Sequence, residues 1–189
     1  MAADVRTQMI RGAVRLLARL GLQATSFSEV LEISGAPRGS VYHHFPGGKE
    51  QLIAAAVELA GAIPIDELGR ETGAGAAEVT EHFLRLWRNV LTLSHFESGC
   101  AVLAVAVATD SAELLGRTAA VFRSWRGRLA ELLAGGGLSP RDAARFAAIL
   151  VASCEGAVVL SRAERSIEPF DLVAEQLREQ LRRMLAAPG

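Results

Sequence analysis

Cysteine is scarce in this chain: Cys100 and Cys154 are the only two among 189 residues. They lie far apart in apolar helical stretches without the paired spacing of a zinc site or a disulfide framework, so neither organises the fold and buried free thiols are expected. Strand signals are nearly absent as well. The valine-rich stretch at 101–107 has no second strand to pair with and reads as a buried helix. The N-terminus lacks an apolar signal-like segment, and the longest apolar candidate, 146–160, is interrupted by Glu155 short of the ~20 residues a membrane helix needs. The expectation is a cytoplasmic protein with no membrane contact. Chemistry is missing too. There is no nucleophile–base motif, Gly73-Ala74-Gly75 and Gly135-Gly136-Gly137 lack the strand and Lys-Ser/Thr of a phosphate loop, and no histidine has a local partner that assigns it a role. Neither metal, cofactor nor enzyme activity is expected.

What remains is an apolar, helix-forming chain. Half of its residues are hydrophobic, enough for a packed core, and its net charge of −1 argues against a surface coated for nucleic acid. The positive charge is local instead. The first fifty residues carry Arg6, Arg11, Arg15, Arg19, Arg38 and Lys49 against Asp4, Glu29, Glu32 and Glu50. Glycine and proline divide the rest into helical lengths, at about 76–94, 99–109, 111–134, 139–164 and 169–186, with no internal repeat. The Gly- and Pro-bearing segment 63–75 is expected to separate a domain at 1–60 from a second at 61–189. The fold class is all-α.

Residues 25–45 read as two short helices joined by a tight turn, the pattern of a helix-turn-helix. Ser26 can cap the first helix while Glu29 reaches back to the Ser26 amide, and Gly35 supplies the turn. On the second helix Val41 and Phe45, four apart, can point inward. Arg38 and Tyr42 then form one outward row and Gly39 and His43 the next. Arg38, Ser40, Tyr42 and His43 carry hydrogen-bond donors, and Gly39 has no side chain to hold the backbone away from DNA. Pro46-Gly47-Gly48 breaks the chain before a new helix that opens with Lys49, a cation beside free amides that suits a phosphate.

Residues 6–59 resemble the N-terminal domain of the TetR repressors, through Gly21-Leu22-Gln23-Ala24-Thr25-Ser26, Ile33-Ser34-Gly35, Gly39-Ser40-Val41-Tyr42-His43-His44-Phe45 and Lys49-Glu50-Gln51-Leu52. The variant Ala36-Pro37-Arg38-Gly39-Ser40 with His43-His44-Phe45-Pro46-Gly47-Gly48-Lys49 is similar to the LmrA/YxaF-like branch. Two positions depart from the pattern: Leu31 stands where a small residue is common, and Pro37 where a capping serine is common. The resemblance implies a repressor that binds a palindromic operator as a homodimer, pairs through its last two helices and releases double-stranded operator DNA when a small effector binds. With the motif, it makes Thr25, Ser26, Arg38, Gly39, Ser40, Tyr42, His43 and Lys49 the candidate DNA-binding residues.

The second domain carries the other signals. On the helix opened by Ser139-Pro140-Arg141-Asp142, one stripe is Phe146, Leu150, Cys154, Ala157 and Ser161, and another is Ile149, Ser153, Gly156 and Leu160. Its own core and a second subunit are expected to share the cover. The last helix repeats Phe170, Val173, Leu177 and Leu181, a stripe expected at the dimer contact. Phe83, Trp87, Phe96, Leu103, Phe122 and Trp125 are candidates for an effector cavity with Cys100 and Glu155 as polar contacts, a largely apolar site. The residues alone leave open an all-helical small-molecule-binding protein or enzyme without DNA function, or a DNA-binding architectural protein without effector.

Overall fold

Glycines, prolines and capping hydroxyls end the helices close to where the sequence puts them. A computed structural model describes residues 4–69 and 73–186, and over these the chain forms α-helices with no strand. The helices are α1 Val5–Ala24, α2 Phe27–Ser34, α3 Val41–His44, α4 Gly48–Leu68, α5 Ala76–Leu93, α6 Ala101–Ala106, α7 Ala112–Gly135, α8 Pro140–Glu164 and α9 Glu168–Ala186. They fall into two compact units. One holds residues up to Ala62 together with Cys100–Val121, and the other holds Ile63–Gly99 with the chain from Phe122 onward.

In the first unit α1 buries Met9, Ile10, Ala13, Leu16 and Leu17 on one face and packs against α2 and α6. The valine-rich stretch is therefore helical, and its Val102 and Val105 bury against the N-terminal helices, far away in sequence. Gly12 permits the close approach to α2, because a Cβ there would stand 3.0 Å from Ile33 Cγ2. Gly61 of α4 does the same for α7: a Cβ there would meet both Val121 methyls at 2.7 Å. A polar seam runs beside that contact. Arg117 donates to Glu58 and, at 2.8 Å, to Glu113, and the Ser111 hydroxyl donates to Glu50. These groups are largely exposed, so they orient α4 and α7 more than they stabilise them.

In the second unit α8 packs on α9, and α5 packs on both. Ser139 caps α8 by accepting from the Asp142 N–H at 3.2 Å, with Pro140 at the first helical position. At its far end the buried Ser161 hydroxyl accepts from the Phe170 N–H at 3.1 Å, which ties α8 to the start of α9. Phe146, Leu150, Cys154, Ala157 and Ser161 are all buried, so the first stripe of α8 is core. Ile149, Gly156, Val159 and Leu160 are exposed.

Three expectations need correcting. The segment 63–75 is not a break throughout, since α4 continues through Pro64 to Leu68. Pro64 removes one backbone bond, but its neighbours are apolar and Leu68 is fully buried, a gain that offsets it. Residues 70–72 lie outside the described residues. The α9 stripe meets the chain's own core: Leu177 and Leu181 are each 3% exposed. Periodicity marks which stripe is apolar, not what covers it. Finally, α8 at 25 residues is long and apolar enough to cross a membrane by length and composition alone, and Glu155 lies buried within it without ending the helix. Half of that stretch is buried within the chain, as in the core helix of a bundle.

Candidate nucleic-acid interface and effector region

The turn into α2 is built from side chains that bond to backbone. Thr25 is buried and its hydroxyl donates to the Gly21 carbonyl at 2.8 Å, so it shapes the end of α1. Ser26 caps α2 by accepting from the Glu29 N–H at 3.3 Å. Glu29 answers through the Ser26 hydroxyl, 3.2 Å from Oε2, and not through the Ser26 amide as the capping box predicts. Gly35 ends α2 with φ of 67°, a left-handed conformation that glycine adopts without strain.

The second helix of the motif differs from expectation in its first turn. Arg38–Ser40 form a 3-10 turn, and only Val41–His44 are α-helical. Pro37 fixes φ at −64° ahead of it, and the Ser40 hydroxyl donates to the Pro37 carbonyl at 2.6 Å, closing the turn that a capping serine would otherwise hold. The facing is as predicted. Val41 and Phe45 are buried, whereas Arg38, Gly39, Tyr42 and His43 are exposed, and Tyr42 reaches 74%. No heavy atom stands within 4 Å of the position a Gly39 Cβ would take.

Lys49 is the only lysine in the sequence. Its Nζ donates to the Leu22 carbonyl at 3.2 Å, linking the start of α4 to the end of α1. An ammonium has three donors, so this bond orients Lys49 without exhausting it. Arg6 lies over the Phe45 ring, its Cζ 5.4 Å from the centroid. The structure also brings in a residue the sequence reading passed over. Phe27 and Tyr42 form an aromatic pair with centroids 6.2 Å apart at 57°. A large aromatic directly after an N-cap is the signal that marks it.

Of the effector candidates, four form a contiguous array in the second unit. Phe83 meets Trp87 at 6.3 Å, Trp87 meets Trp125 at 6.0 Å and Phe122 meets Trp125 at 5.5 Å, each edge to face. Phe96 follows α5 in a turn where it and His95 have φ of 64° and 52°. Glu155 is buried within α8, and burial together with the Glu155 charge pushes the adjacent Cys154 thiol up from its ordinary range. Cys100 and Leu103 belong to the first unit. There the Leu103 N–H points at Cys100 Sγ at 3.3 Å, so this buried thiol caps α6.

Comparisons with known proteins agree with this architecture. Residues 9–56 match the family model of bacterial regulatory proteins, tetR family, and residues 76–176 match that of the transcriptional regulator LmrA/YxaF-like C-terminal domain. An uncharacterised HTH-type transcriptional regulator of Mycobacterium tuberculosis is 37% identical over 186 residues, 93% of each chain. The HTH-type transcriptional regulator LmrA of Bacillus subtilis is 27% identical over 184 residues, 95% of this chain and 98% of its own. Among solved structures, regulatory protein TetR from Rhodobacter sphaeroides superposes with a TM-score of 0.82 at 22% identity, over 93% of this chain and 97% of that one. These relatives are transcriptional regulators and not enzymes.

Proposed function

Because this chain belongs to the TetR family of transcriptional regulators, and to its LmrA/YxaF-like branch, we propose that it is a homodimeric repressor that binds a palindromic operator and is released by a small, largely apolar effector. The observation that carries the reading is the outward face of the second motif helix. Arg38, Tyr42 and His43 present donors around the bare backbone of Gly39, on a domain whose positive charge is concentrated near the motif. Ser26, Ser40 and the buried Thr25 hold that helix and its neighbour in register, and Lys49 meets a phosphate beside the start of α4.

Dimerisation through the last two helices is supported by the outer face of α8. Ile149, Gly156, Val159 and Leu160 expose an apolar strip that a lone chain leaves in water, and a two-fold copy covers it while matching a palindrome. The effector reading rests on the Phe83–Trp87–Trp125–Phe122 array with the buried carboxylate of Glu155 in the same unit. Phe96, in the same unit, is its further candidate. Linkage supplies the mechanism: an effector weakens DNA binding only as far as it favours the state that fits the groove poorly.

Selection of duplexes from a random pool by the full-length protein tests the DNA reading. Recovery of a palindrome whose affinity falls steeply with salt supports it, and a pool that stays random rejects it. Lys49 gives a local check. As the sole lysine, it and the α-amine are the amine-acylation sites, and the selected duplex should protect Lys49. Both tryptophans lie in the second unit, so their emission reports effector binding apart from DNA. An effector should shift that emission and loosen the operator complex along one binding curve.

A further inference from the structure

Tyr42 is the one exposed ring among the phenylalanine, tyrosine and tryptophan side chains, and it sits on α3, a helix of only four residues. A single turn gives its outer side chain no partner four residues further along the helix: position 46 is Pro46, beyond its end. A phenol held by nothing sweeps several rotamers and loses that freedom on binding. Phe27 stands against it. It opens α2 directly after the Ser26 cap, is half-buried, and its ring edge tilts 57° to Tyr42 across 6.2 Å, inside the range where aromatic pairs attract. Both rings line one groove of about 590 Å³ between the motif helices, with the buried Ala36 and Val41 at its floor and Arg38 at its rim.

The geometry points to Phe27 as a positioning residue that fixes the Tyr42 phenol in its DNA-reading orientation. The inference rests on the recognition-face reading above. Phe27 makes its contribution through Tyr42, so the two residues are coupled: remove the phenol and Phe27 has nothing left to orient.

The test is a double-mutant cycle on the full-length protein with a duplex recovered from the random pool. Phe27→Ala should weaken binding about 3- to 10-fold, and Phe27→Tyr, which keeps a ring there, should stay within about twofold of the parent. In a Tyr42→Ala background, Phe27→Ala should change affinity by less than about twofold. Thermal melts accompany each variant, and Phe27→Leu replaces Phe27→Ala in the cycle if the latter melts early. A Phe27→Ala loss of equal size with and without Tyr42 overturns the inference, because Phe27 then touches DNA itself or supports only the fold. No loss in either background overturns it too. An unaltered affinity for Tyr42→Ala overturns the recognition-face reading, and this inference with it.

Discussion

The two units use large side chains in opposite ways. In the first, Tyr42 stands 74% exposed on a one-turn helix, beside an arginine, a histidine and a glycine with open space over its backbone. In the second, Trp125 is 1% exposed and meets two further rings edge to face. Burying a ring contributes stability to the chain that owns it, whereas an exposed ring contributes little until another molecule covers it. The contrast extends to aliphatics. Leu177 on α9 serves the chain's interior, and Val159 on α8, 52% exposed, serves nothing within it.

The largest effect should come from confusing those two faces. Leu177→Glu places a carboxylate at a position only 3% exposed within the chain's own core and should abolish cooperative folding, read as loss of helical circular dichroism. Val159→Glu should keep the helical signal and convert a dimer to a monomer in sedimentation. A monomeric, folded Leu177→Glu would reverse the assignment of inner and outer faces. A fully dimeric Val159→Glu would move the interface off α8.

Next in size is a crossover between the rings. Trp125→Ala should lower unfolding free energy by about 3–5 kcal/mol, while Tyr42→Ala should leave it within about 0.5 kcal/mol. For affinity to the selected duplex the order reverses, with Tyr42→Ala costing about 1–3 kcal/mol. Denaturant unfolding and a binding titration on the same samples decide it. A Tyr42→Ala variant that loses stability but not affinity would make that ring ordinary structure.

Much of this division is legible in the sequence where the cause is local. Ser26, Gly35, Ser139-Pro140 and the glycine runs set helix ends through caps and left-handed turns, and those ends fall within a few residues of expectation. The inward and outward faces of Val41, Phe45, Tyr42 and His43 follow from helical spacing alone. Tertiary causes are not legible. Nothing near residues 101–106 says that α6 packs on α1, and nothing in the Leu177–Leu181 spacing says whether a copy or the chain's own α5 and α8 cover that stripe. The 3-10 turn at Arg38–Ser40 lay between: Pro37 and Gly39 signal an irregular start, but the Ser40–Pro37 bond that closes it appears only in three dimensions.

Cys154 should produce a smaller effect, visible only in alkali. Burial raises its thiol in the folded state, and the neighbouring Glu155 charge adds to the shift, whereas unfolding returns it to near 9.0. The folded state therefore holds the proton more tightly, so the stabilisation is complete below that value and is lost as pH rises above it, by up to about 1.4 kcal/mol per pH unit. Urea unfolding at pH 8 and pH 10 should show this decline in the parent protein and a flatter one in Cys154→Ala. Equal slopes would mean that the thiol ionises as easily inside as outside.

The smallest effect belongs to charges the chain leaves on its surface. Arg88 and Asp171 join α5 to α9 with two bonds, Nε to Oδ1 at 3.1 Å and a terminal nitrogen to Oδ2 at 3.2 Å, and the hydrogen bond to Asp171 is the main cause that raises the guanidinium's pKa. Two parallel bonds suggest strength, but both side chains are 47% exposed, and water competes for each bond while salt screens the pair. The packing of α5 on α9 stands without it, since Phe83 of α5 and Phe170 and Leu177 of α9 are all buried. Arg88→Ala should therefore cost about 0.5 kcal/mol in dilute buffer and less at 1 M salt. A salt-independent loss of about 2 kcal/mol or more would show that the interior of the second unit does not hold α9 alone, and that this surface pair fixes the angle at which α9 meets α5.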